Sequence, residues 1–515
     1  MPQQKRGGSR RSTASRSSKG AMPDVIYAQA SPRSAGGTSL FDASAAIRGD
    51  TVANFFSEDA VTRAATLRLQ EAGFRVLQVS PTTINIAGPA EAYERAFSTT
   101  LKTVERDVIK PGAREDTATF IDTEDTALAG LVDPRNTPFE DVLEGVAIEE
   151  PVYLMQDAFA PIVDYWHLDV PGDVSLAVNA DRAHRGDTTG RGVSVVMVDS
   201  GWFRHPFFTQ RGYRAAPVVL GPAASSPDDD ENGHGTAESA NAFAAAPDID
   251  FTMVKMSFTN STGAFSAAVA LNPQIISCSW GSSIQDPPLS AANQAQAAAI
   301  ATAVVSGIIV VFSAGNGHWG FPGQHPDVIS AGGVYMEADG ATQASTYASG
   351  FASNIYAGRN TPDVSGLVGM SPGAKYIMLP LQPGDEIDRG GGGGSHPTGD
   401  ETAPDDGWAA ISGTSAAAPQ LAGVCALIRQ ACPRLTPAEV RDVLMRTARD
   451  VTAGSNAHGN AAGPGYDLAT GAGLVDAHRA VLMAKLRRQA AAEGGQLSAE
   501  DVEAIERILM ESDQD

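Results

Sequence analysis

The sequence predicts a two-domain α/β protein, in which a parallel β-sheet covered by helices on both faces follows a small α+β domain. Apolar runs such as "GVSVVMVDSG", "PQIISCSWGS" and "GIIVVFSAGN" are continuous rather than alternating, which is typical of strands buried on both faces. Ala-rich segments such as "SAANQAQAAAIATAVVSG" separate them, as expected for helices that connect parallel strands. In such sheets the functional residues lie at the carboxyl ends of the strands.

The small domain is predicted over residues 23–108. Short segments there indicate strand, helix, two strands, helix and strand: "DVIYAQA", "SEDAVTRAATLRLQEAGF", "RVLQVSPTTINIAG", "PAEAYERAFST" and "TLKTVERDV". This is the order of a ferredoxin-like split βαβ unit. The last strand is expected to close the sheet of that unit.

Changes in composition divide the chain into five segments. We expect a disordered basic tail (1–22), the α+β domain (23–108), a polar, acidic linker (109–150), the large α/β domain (151–482) and a helical tail (483–515). In the tail, "SAEDVEAIERILM" has a capping box at Ser498 and Asp501, which predicts a docking helix.

Charge and cysteine content exclude several classes of function. The 515-residue chain has a formal net charge of -23, so neither nucleic acid nor an anionic membrane is an expected partner. No apolar run is long enough to cross a bilayer. Cys278, Cys425 and Cys432 do not suggest a disulfide framework, and none has zinc-type spacing with histidine. We expect a cytoplasmic protein, with export lacking a recognisable signal as the alternative.

Four polar residues form a candidate catalytic set. Ser415 begins the Ala-rich helix in "GTSAAAP", Asp199 and Asn316 end apolar strands, and His234 lies between two glycines in "NGHGT". Taken singly, each has a structural explanation: Ser415 as a helix N-cap, Asp199 and Asn316 as turn residues, His234 as a structural histidine. Together they supply a nucleophile, a base, an acid that orients the base, and an amide donor for an oxyanion.

On these motifs the chain resembles the subtilisin-like serine proteases over residues 150–482. The matching motifs follow the Asp, His, Ser order of that family: "DSG" at Asp199, "NGHGT" at His234, "SWG" at Ser279, "AGN" at Asn316, "GTSAAAP" at Ser415 and "GAGLVDA" near Gly473. The resemblance implies a subtilisin-like fold and hydrolysis of peptide bonds through an acyl-enzyme.

The resemblance also implies a role for each residue. Ser415 is the nucleophile, His234 the general base and Asp199 the acid that fixes the His234 tautomer, while Asn316 and the backbone N–H of Ser415 form the oxyanion hole. No cofactor is required. Calcium is a possibility, without assigned ligands, and no metal site is predicted.

The segment "SCSWGS" resembles the strand along which these enzymes pair an extended polypeptide substrate. Ser279, Trp280, Gly281 and Gly315 are therefore expected to bind substrate, and the small glycines indicate an open primary pocket. The acidic stretch "PDDDENGHG" either favours basic residues beside the scissile bond or is a solvated loop.

Glu238 departs from the family pattern, which has an apolar residue there. Because it lies one helical turn after His234, both side chains face the same side. The related sedolisins have a Glu and an Asp at this spacing. One hypothesis is therefore that Glu238 is a second acid, whose nearby charge raises the pKa of His234. The alternative is a solvated glutamate near the cleft.

The amino-terminal domain resembles the propeptides of subtilisin-like and sedolisin proteases, especially in "VLQVSPTTINIAGPAEAYERAFSTTL". This implies a zymogen inhibited by its own N-terminal domain. Cleavage is expected in the linker between Asp107 and Glu150. The leading hypothesis is a serine endopeptidase; the alternatives are a transpeptidase or macrocyclase with the same acyl-enzyme, and a regulatory binding protein with a masked triad.

Overall fold

The computed structural model describes residues 20–110, 114–155, 167–371, 376–390, 400 and 402–492. The docking helix predicted from Ser498 and the basic tail up to residue 19 lie outside the described residues. None of the described helices is both long and apolar enough to cross a membrane. Cys278, Cys425 and Cys432 are buried and unpaired.

The N-terminal part is built around a five-stranded antiparallel sheet in the order β2-β3-β1-β7-β6. The two longer helices, Asp59–Glu71 and Ala90–Phe97, share one apolar core with that sheet. The elements are β1 (Ile26–Pro32), α1 (Leu40–Ala43), α2 (Asp59–Glu71), β2 (Arg75–Val79), β3 (Ile84–Gly88), α3 (Ala90–Phe97), β4 (Leu101–Lys110), β5 (Arg114–Thr123), β6 (Leu131–Val132) and β7 (Leu143–Ile148). From β1 to α3 they follow the predicted order.

The predicted last strand does not join this sheet. Within the described residues β4 pairs with β5 alone, in a separate antiparallel hairpin that runs from the Leu101–Thr123 pair to the Lys110–Arg114 pair. The place beside β1 belongs to β7, which is nearly all buried. The linker predicted over 109–150 is therefore wrong, because β5, β6 and β7 lie in it. Alternation in "TLKTVERDV" marks a strand but does not fix its partner.

The second part contains the large sheet and most of the helices. Its elements are β8 (Tyr153–Leu154), β9 (His167–Asp169), α4 (Gly172–Ala177), α5 (Ala180–Arg185), β10 (Ser194–Asp199), α6 (Pro206–Gln210), β11 (Val219–Leu220), α7 (His234–Ala245), β12 (Asp250–Lys255), α8 (Ser261–Ala270), β13 (Ile275–Cys278), β14 (Trp280–Ser283), α9 (Ala291–Val305), β15 (Ile309–Ser313), β16 (Gly320–Phe321), β17 (Ile329–Met336), β18 (Thr342–Ala344), β19 (Phe351–Ala352), β20 (Asn360–Thr361), β21 (Val364–Leu367), β22 (Tyr376–Pro380), α10 (Glu386–Gly390), β23 (Trp408–Ile411), α11 (Thr414–Ala431), α12 (Pro437–Thr447) and α13 (Ala477–Ala492).

The large sheet has the order β11-β12-β10-β13-β15-β17-β18, and β21 also pairs with β17. All of these pairs are parallel except β17 with β18. Helices α7, α11, α12 and α13 pack on one face, and α8 and α9 on the other. The predicted parallel sheet with helices on both faces is confirmed.

Helices α7 and α11 approach each other closely at Gly423. A β-carbon at Gly423 would lie 2.6 Å from Cβ of Ala245 and 2.8 Å from the carbonyl oxygen of Ala242. The contact is between helix backbones, so no flexible side chain can move away to make room.

We expect Gly423→Ala to lower the free energy of unfolding by about 1–2 kcal/mol, because overpacking outweighs the better helix propensity of alanine. Urea unfolding followed by circular dichroism measures this. The matched control is Gly172→Ala in α4, where nothing lies within 4 Å of the added carbon, and where stability should be unchanged or slightly higher. A Gly423→Ala protein as stable as the parent would contradict the packing argument.

Candidate active site

Asp199 and His234 form a buried pair at the carboxyl end of strand β10 in the large sheet. Asp199 is the last residue of β10, and His234 is the first residue of α7. Nδ1 of His234 lies 2.7 Å from Oδ1 of Asp199, and both side chains are fully buried. Burial alone would lower the pKa of His234, but the charge and hydrogen bond of Asp199 outweigh it, so this pKa lies above its ordinary value. The structure thus brings together the predicted acid and base.

A second carboxylate, Asp230, fixes the start of α7. It accepts hydrogen bonds from the N–H of Gly233 at 3.0 Å and from the N–H and hydroxyl of Thr236 at 2.8 and 2.7 Å. It also accepts one from the hydroxyl of Ser200 at 2.8 Å, and Ser200 in turn accepts from the N–H of Gly235. Free N–H groups at a helix start need such acceptors. The backbone N–H groups of the residues before and after His234 are therefore both hydrogen-bonded, which fixes the position of His234.

Ser415 is the second residue of α11 and is fully buried. Its hydroxyl donates to the carbonyl oxygen of Ser279 at 3.2 Å, and the hydroxyl of Ser279 donates to the carbonyl of Ser415 at 2.9 Å. Nε2 of His234 has no hydrogen-bond partner among the described residues. In the described structure the hydroxyl of the predicted nucleophile is thus hydrogen-bonded to Ser279 and not to the predicted base.

The side chain of Asn316 is oriented by the residue that precedes Ser415. Its Oδ1 accepts from the N–H of Thr414 at 2.9 Å and from the Thr414 hydroxyl at 3.0 Å. This hydrogen-bond pattern assigns the amide, because an NH₂ group could not accept from Thr414 N–H. The NH₂ group therefore points away from Thr414, and it donates to the carbonyl oxygen of Met155.

Met155 ends a segment that lies in the cleft as an added strand. β8 pairs antiparallel with β14, with Leu154 opposite Trp280 and Tyr153 opposite Gly281. The N–H of Met155 continues this ladder by donating to the carbonyl of Ser279 at 3.2 Å. The side chain of Met155 is buried, and a β-carbon at Gly281 would lie 2.9 Å from its Cε.

The predicted substrate-binding residues contribute mainly backbone. Ser279, Trp280 and Gly281 pair through their backbone with residues 153–155 of the same chain, and their binding of substrate stays a prediction. The indole of Trp280 points into the core, where its N–H donates to the carbonyl of Val198 at 2.7 Å. The N–H of Gly315 donates to the Thr414 hydroxyl at 3.1 Å, beside Asn316.

Glu238 is fully buried beside His234. Its Oε1 lies 3.9 Å from Nε2 of His234, and its Oε2 accepts from Nδ2 of Asn241 at 2.9 Å. The alternative of a solvated glutamate is wrong, because α11 packs over this face of α7 and excludes water.

Two residues at the site carried no signal that the sequence analysis used. Met155 belongs to the ordinary apolar run "PVYLM". His318 follows Asn316 in "GNGH"; its Nδ1 accepts from the N–H of Asn316 at 3.0 Å, and its Nε2 lies 3.2 Å from the carbonyl oxygen of Ile109 in β4. Burial lowers the pKa of His318 to about 4. The ring is therefore neutral, so Nδ1 can accept a hydrogen bond while Nε2 donates one. Its position two residues after Asn316 could have identified it.

Two carboxylates of the acidic loop before His234 pair with one lysine. Nζ of Lys255 lies 2.7 Å from carboxylate oxygens of both Asp229 and Glu231. This arrangement favours the loop as a structural feature over a site for basic substrate residues. Within the described residues, no group of three or more His, Cys, Asp or Glu side chains could hold a metal ion. The possibility of calcium stays a prediction.

Sequence comparison identifies the family that this geometry suggests. The sequence model of the subtilase family matches residues 190–473, more than half of the chain. The chain belongs to the subtilase family. The matched range includes Asp199, His234, Asn316 and Ser415.

Several named proteases resemble this subtilase. Alkaline elastase YaB of Bacillus sp. (strain YaB) is 27% identical over 293 residues, which cover 53% of this chain and 64% of the relative. Serine protease AprX of Bacillus subtilis (strain 168) is 28% identical over 327 residues, which cover 54% of this chain and 67% of that protein. The matched region thus spans about two thirds of these relatives.

A solved structure also shares the fold. Fervidolysin from Fervidobacterium pennivorans, described as a keratinolytic enzyme related to subtilisin, has a TM-score of 0.54 and 16% sequence identity with this subtilase. The match covers 89% of this chain and 61% of fervidolysin. The subtilisin-like fold predicted from the motifs is therefore confirmed.

We expect Asp230→Ala to lower the free energy of unfolding by at least about 2 kcal/mol, because it leaves buried donors at the start of α7 without an acceptor. Urea unfolding followed by circular dichroism provides the measurement. Asp228→Ala removes an exposed carboxylate two residues earlier and is the matched control, expected to change little. Equal stability of the two variants would rule out this role of Asp230.

Proposed function

We propose that this subtilase is a serine endopeptidase made as a zymogen, with Asp199, His234 and Ser415 as its catalytic residues. The observation that carries the proposal is the carbonyl of Met155, which accepts from the amide of Asn316 at the end of a strand paired with β14. An extended peptide and its carbonyl thus lie where a substrate and its oxyanion donor would meet.

The chemistry begins with the hydroxyl of Ser415. A rotation about its Cα–Cβ bond takes Oγ from the Ser279 carbonyl toward Nε2 of His234. Oγ then attacks the substrate carbonyl carbon, its proton passes to Nε2, and the carbonyl oxygen becomes an oxyanion that accepts from the amide of Asn316. The C–N bond breaks as His234 returns the proton to the leaving amine. A water molecule then repeats the cycle and releases the acyl group from Ser415.

Asp199 acts through His234 rather than on the substrate. Its Oδ1 lies 2.7 Å from Nδ1 of the imidazole, so the proton is held on Nδ1 and Nε2 is left free to accept. When His234 becomes imidazolium, the buried carboxylate stabilises the charge. The raised pKa of His234 is consistent with this role.

The segment up to Met155 is the proposed intramolecular inhibitor. The bond after Met155 is the scissile bond of the zymogen, because its carbonyl alone accepts from Asn316 among the described residues. This replaces cleavage between Asp107 and Glu150, where β4, β5 and β7 lie within sheets. Once cut, β8 would stay paired with β14 as a bound product.

Contacts outside the cleft support retention of this inhibitor. Asn85 of β3 and Asn260 before α8 exchange two buried hydrogen bonds, of 2.9 and 3.1 Å. Glu150 accepts from Arg106 and from Asn293 of α9, each at 3.2 Å. These contacts hold the N-terminal part on α8 and α9 independently of β8.

The fit of Met155 also indicates the primary specificity. Its side chain is buried against Gly281, whose missing side chain leaves room for it. An apolar side chain that is unbranched at Cβ is therefore preferred on the acyl side of the cleaved bond. Charged residues there would lose hydration without a partner.

We expect the purified wild-type chain to convert into two fragments with free termini, one ending at Met155 and the other beginning at Gln156. Intact-mass measurement detects both, and the Ser415→Ala chain should stay full length. Met155→Leu should be cut at a similar rate and Met155→Asp much more slowly. A circular product would instead favour the transpeptidase, while an uncut chain that no fluorophosphonate labels would favour the masked binding protein.

Asn316→Ala should slow self-cleavage about 100- to 1000-fold, as expected for loss of one oxyanion donor. A time course of full-length chain followed by mass spectrometry measures the rate. Asn354→Ala, which removes an exposed amide bonded to Asp286, is the matched control and should cleave at the wild-type rate. An unchanged rate in Asn316→Ala would remove Asn316 from the mechanism.

A further inference from the structure

Helix α7 carries a second buried carboxyl that the mechanism above does not use. Oε1 of Glu238 lies 3.9 Å from Nε2 of His234, which is the ring nitrogen that must accept the proton of Ser415. Neither atom has a hydrogen-bond partner among the described residues, and both side chains are fully buried. An unpaired buried carboxyl oxygen is costly, so its retention beside the base needs a reason.

A chain of buried amides fixes this carboxyl in place. Oε2 of Glu238 accepts from Nδ2 of Asn241 at 2.9 Å, and Oδ1 of Asn241 accepts from Nε2 of Gln420 in α11 at 3.1 Å. Gln420 is itself held by both backbone groups of Leu367 in β21, at 2.8 and 3.0 Å. Glu238 is therefore tied to the helix that carries Ser415 and cannot swing away from His234.

The two neighbouring groups must influence each other's charge. Burial and, to a smaller extent, the charge of Asp199 raise the pKa of Glu238 to about 8, although the charge of His234 acts in the opposite direction. The pKa of His234 is raised as well. Groups this close lose their protons in two steps that belong to the pair.

Other titratable groups surround the pair. Asp199 on β10 bonds Nδ1, and Asp230 before α7 lies close enough to raise the pKa of His234. Cys278 of β13 is buried near Asp199, and burial keeps its thiol protonated. Asp385, before α10, lies against Gly233. Of all these carboxyl groups in the described structure, that of Glu238 is the one that lies within 4.0 Å of Nε2.

We propose that Glu238 is a positioning residue for the catalytic base: its carboxyl lies beside the Nε2 edge of His234, and its charge sets the pH range in which the imidazole can accept a proton. This inference rests on the proposed function, because it assigns His234 as the base. It requires no added reactant, since the imidazole and the carboxyl exchange their protons with solvent and no other bond is made or broken.

The direction of the pH effect follows from the charges. An anionic Glu238 stabilises the imidazolium, so in the wild type the base becomes fully neutral only after the second proton of the pair is lost. Glutamine has nearly the same shape and can still accept from Asn241, but carries no charge. In Glu238→Gln the pKa of His234 therefore falls, and the base becomes available at lower pH.

The test is the pH dependence of kcat/KM for wild type and Glu238→Gln, each freed of its N-terminal part, with a peptide substrate. We expect the acidic limb to move to lower pH by about one unit or more and to show one ionisation in place of two. Glu439→Gln is the matched control, because Glu439 is exposed and glutamine preserves its capping box. Superimposable profiles for wild type and Glu238→Gln would overturn the proposal, whereas a merely structural role would change kcat or stability and leave the profile in place.

A second measurement separates this proposal from the proposed function. In full-length Ser415→Ala, ring-nitrogen NMR of labelled histidine follows His234 without any peptidase activity. Two coupled titration steps that become one step in Ser415→Ala with Glu238→Gln support the pair, and a single step in both overturns it. If Glu238→Gln does not fold, two steps in Ser415→Ala alone support it and one step overturns it. Absence of hydrolysis with a normal paired titration would reject the peptidase and keep the pair.

Discussion

The contact between α7 and α11 sets the geometry of the whole site. His234 begins one helix and Ser415 lies in the first turn of the other, so the distance between the proposed base and nucleophile depends on how closely the two helices pack. Every residue of α7 is buried, and a backbone contact at Gly423 leaves no room for a side chain between the helices. The abundance of alanine and glycine in both segments is a consequence of this approach. Three polar residues between the helices, Glu238 and Asn241 of α7 and Gln420 of α11, are joined by hydrogen bonds.

The sequence predicted the elements well where local pattern decides them. Continuous apolar runs identified β10, β13 and β15, because strands buried on both faces need apolar side chains on both. The motifs likewise marked Asp199, His234, Asn316 and Ser415, which lie at or near the end of a strand or the start of a helix. Helical spacing placed Glu238 on the same side as His234, but its burial depends on α11, nearly two hundred residues later in the chain.

The sequence did not predict which segments pair with one another in the folded protein. β4 has the alternation of a strand, yet its partner is β5 and not β1, because a local hairpin competes with the long-range pairing. Met155 lies in a run with no motif, and its position depends on an edge that β14 offers only in the folded protein. The role of His318 also depends on a distant segment. Its two hydrogen bonds link Asn316 to Ile109 of the hairpin, and the sequence around His318 does not indicate that connection.

The hairpin of β4 and β5 and the strand β8 occupy the cleft as parts of one polypeptide, and this has a kinetic consequence. Before cleavage, the occupant is present at a fixed local concentration, so occupancy of the cleft is the same at any protein concentration. If the bond after Met155 is cut as proposed, the same contacts become an encounter between two molecules, governed by a dissociation constant. Dilution alone would then begin to free the cleft, and degradation of the released fragment would make that change irreversible.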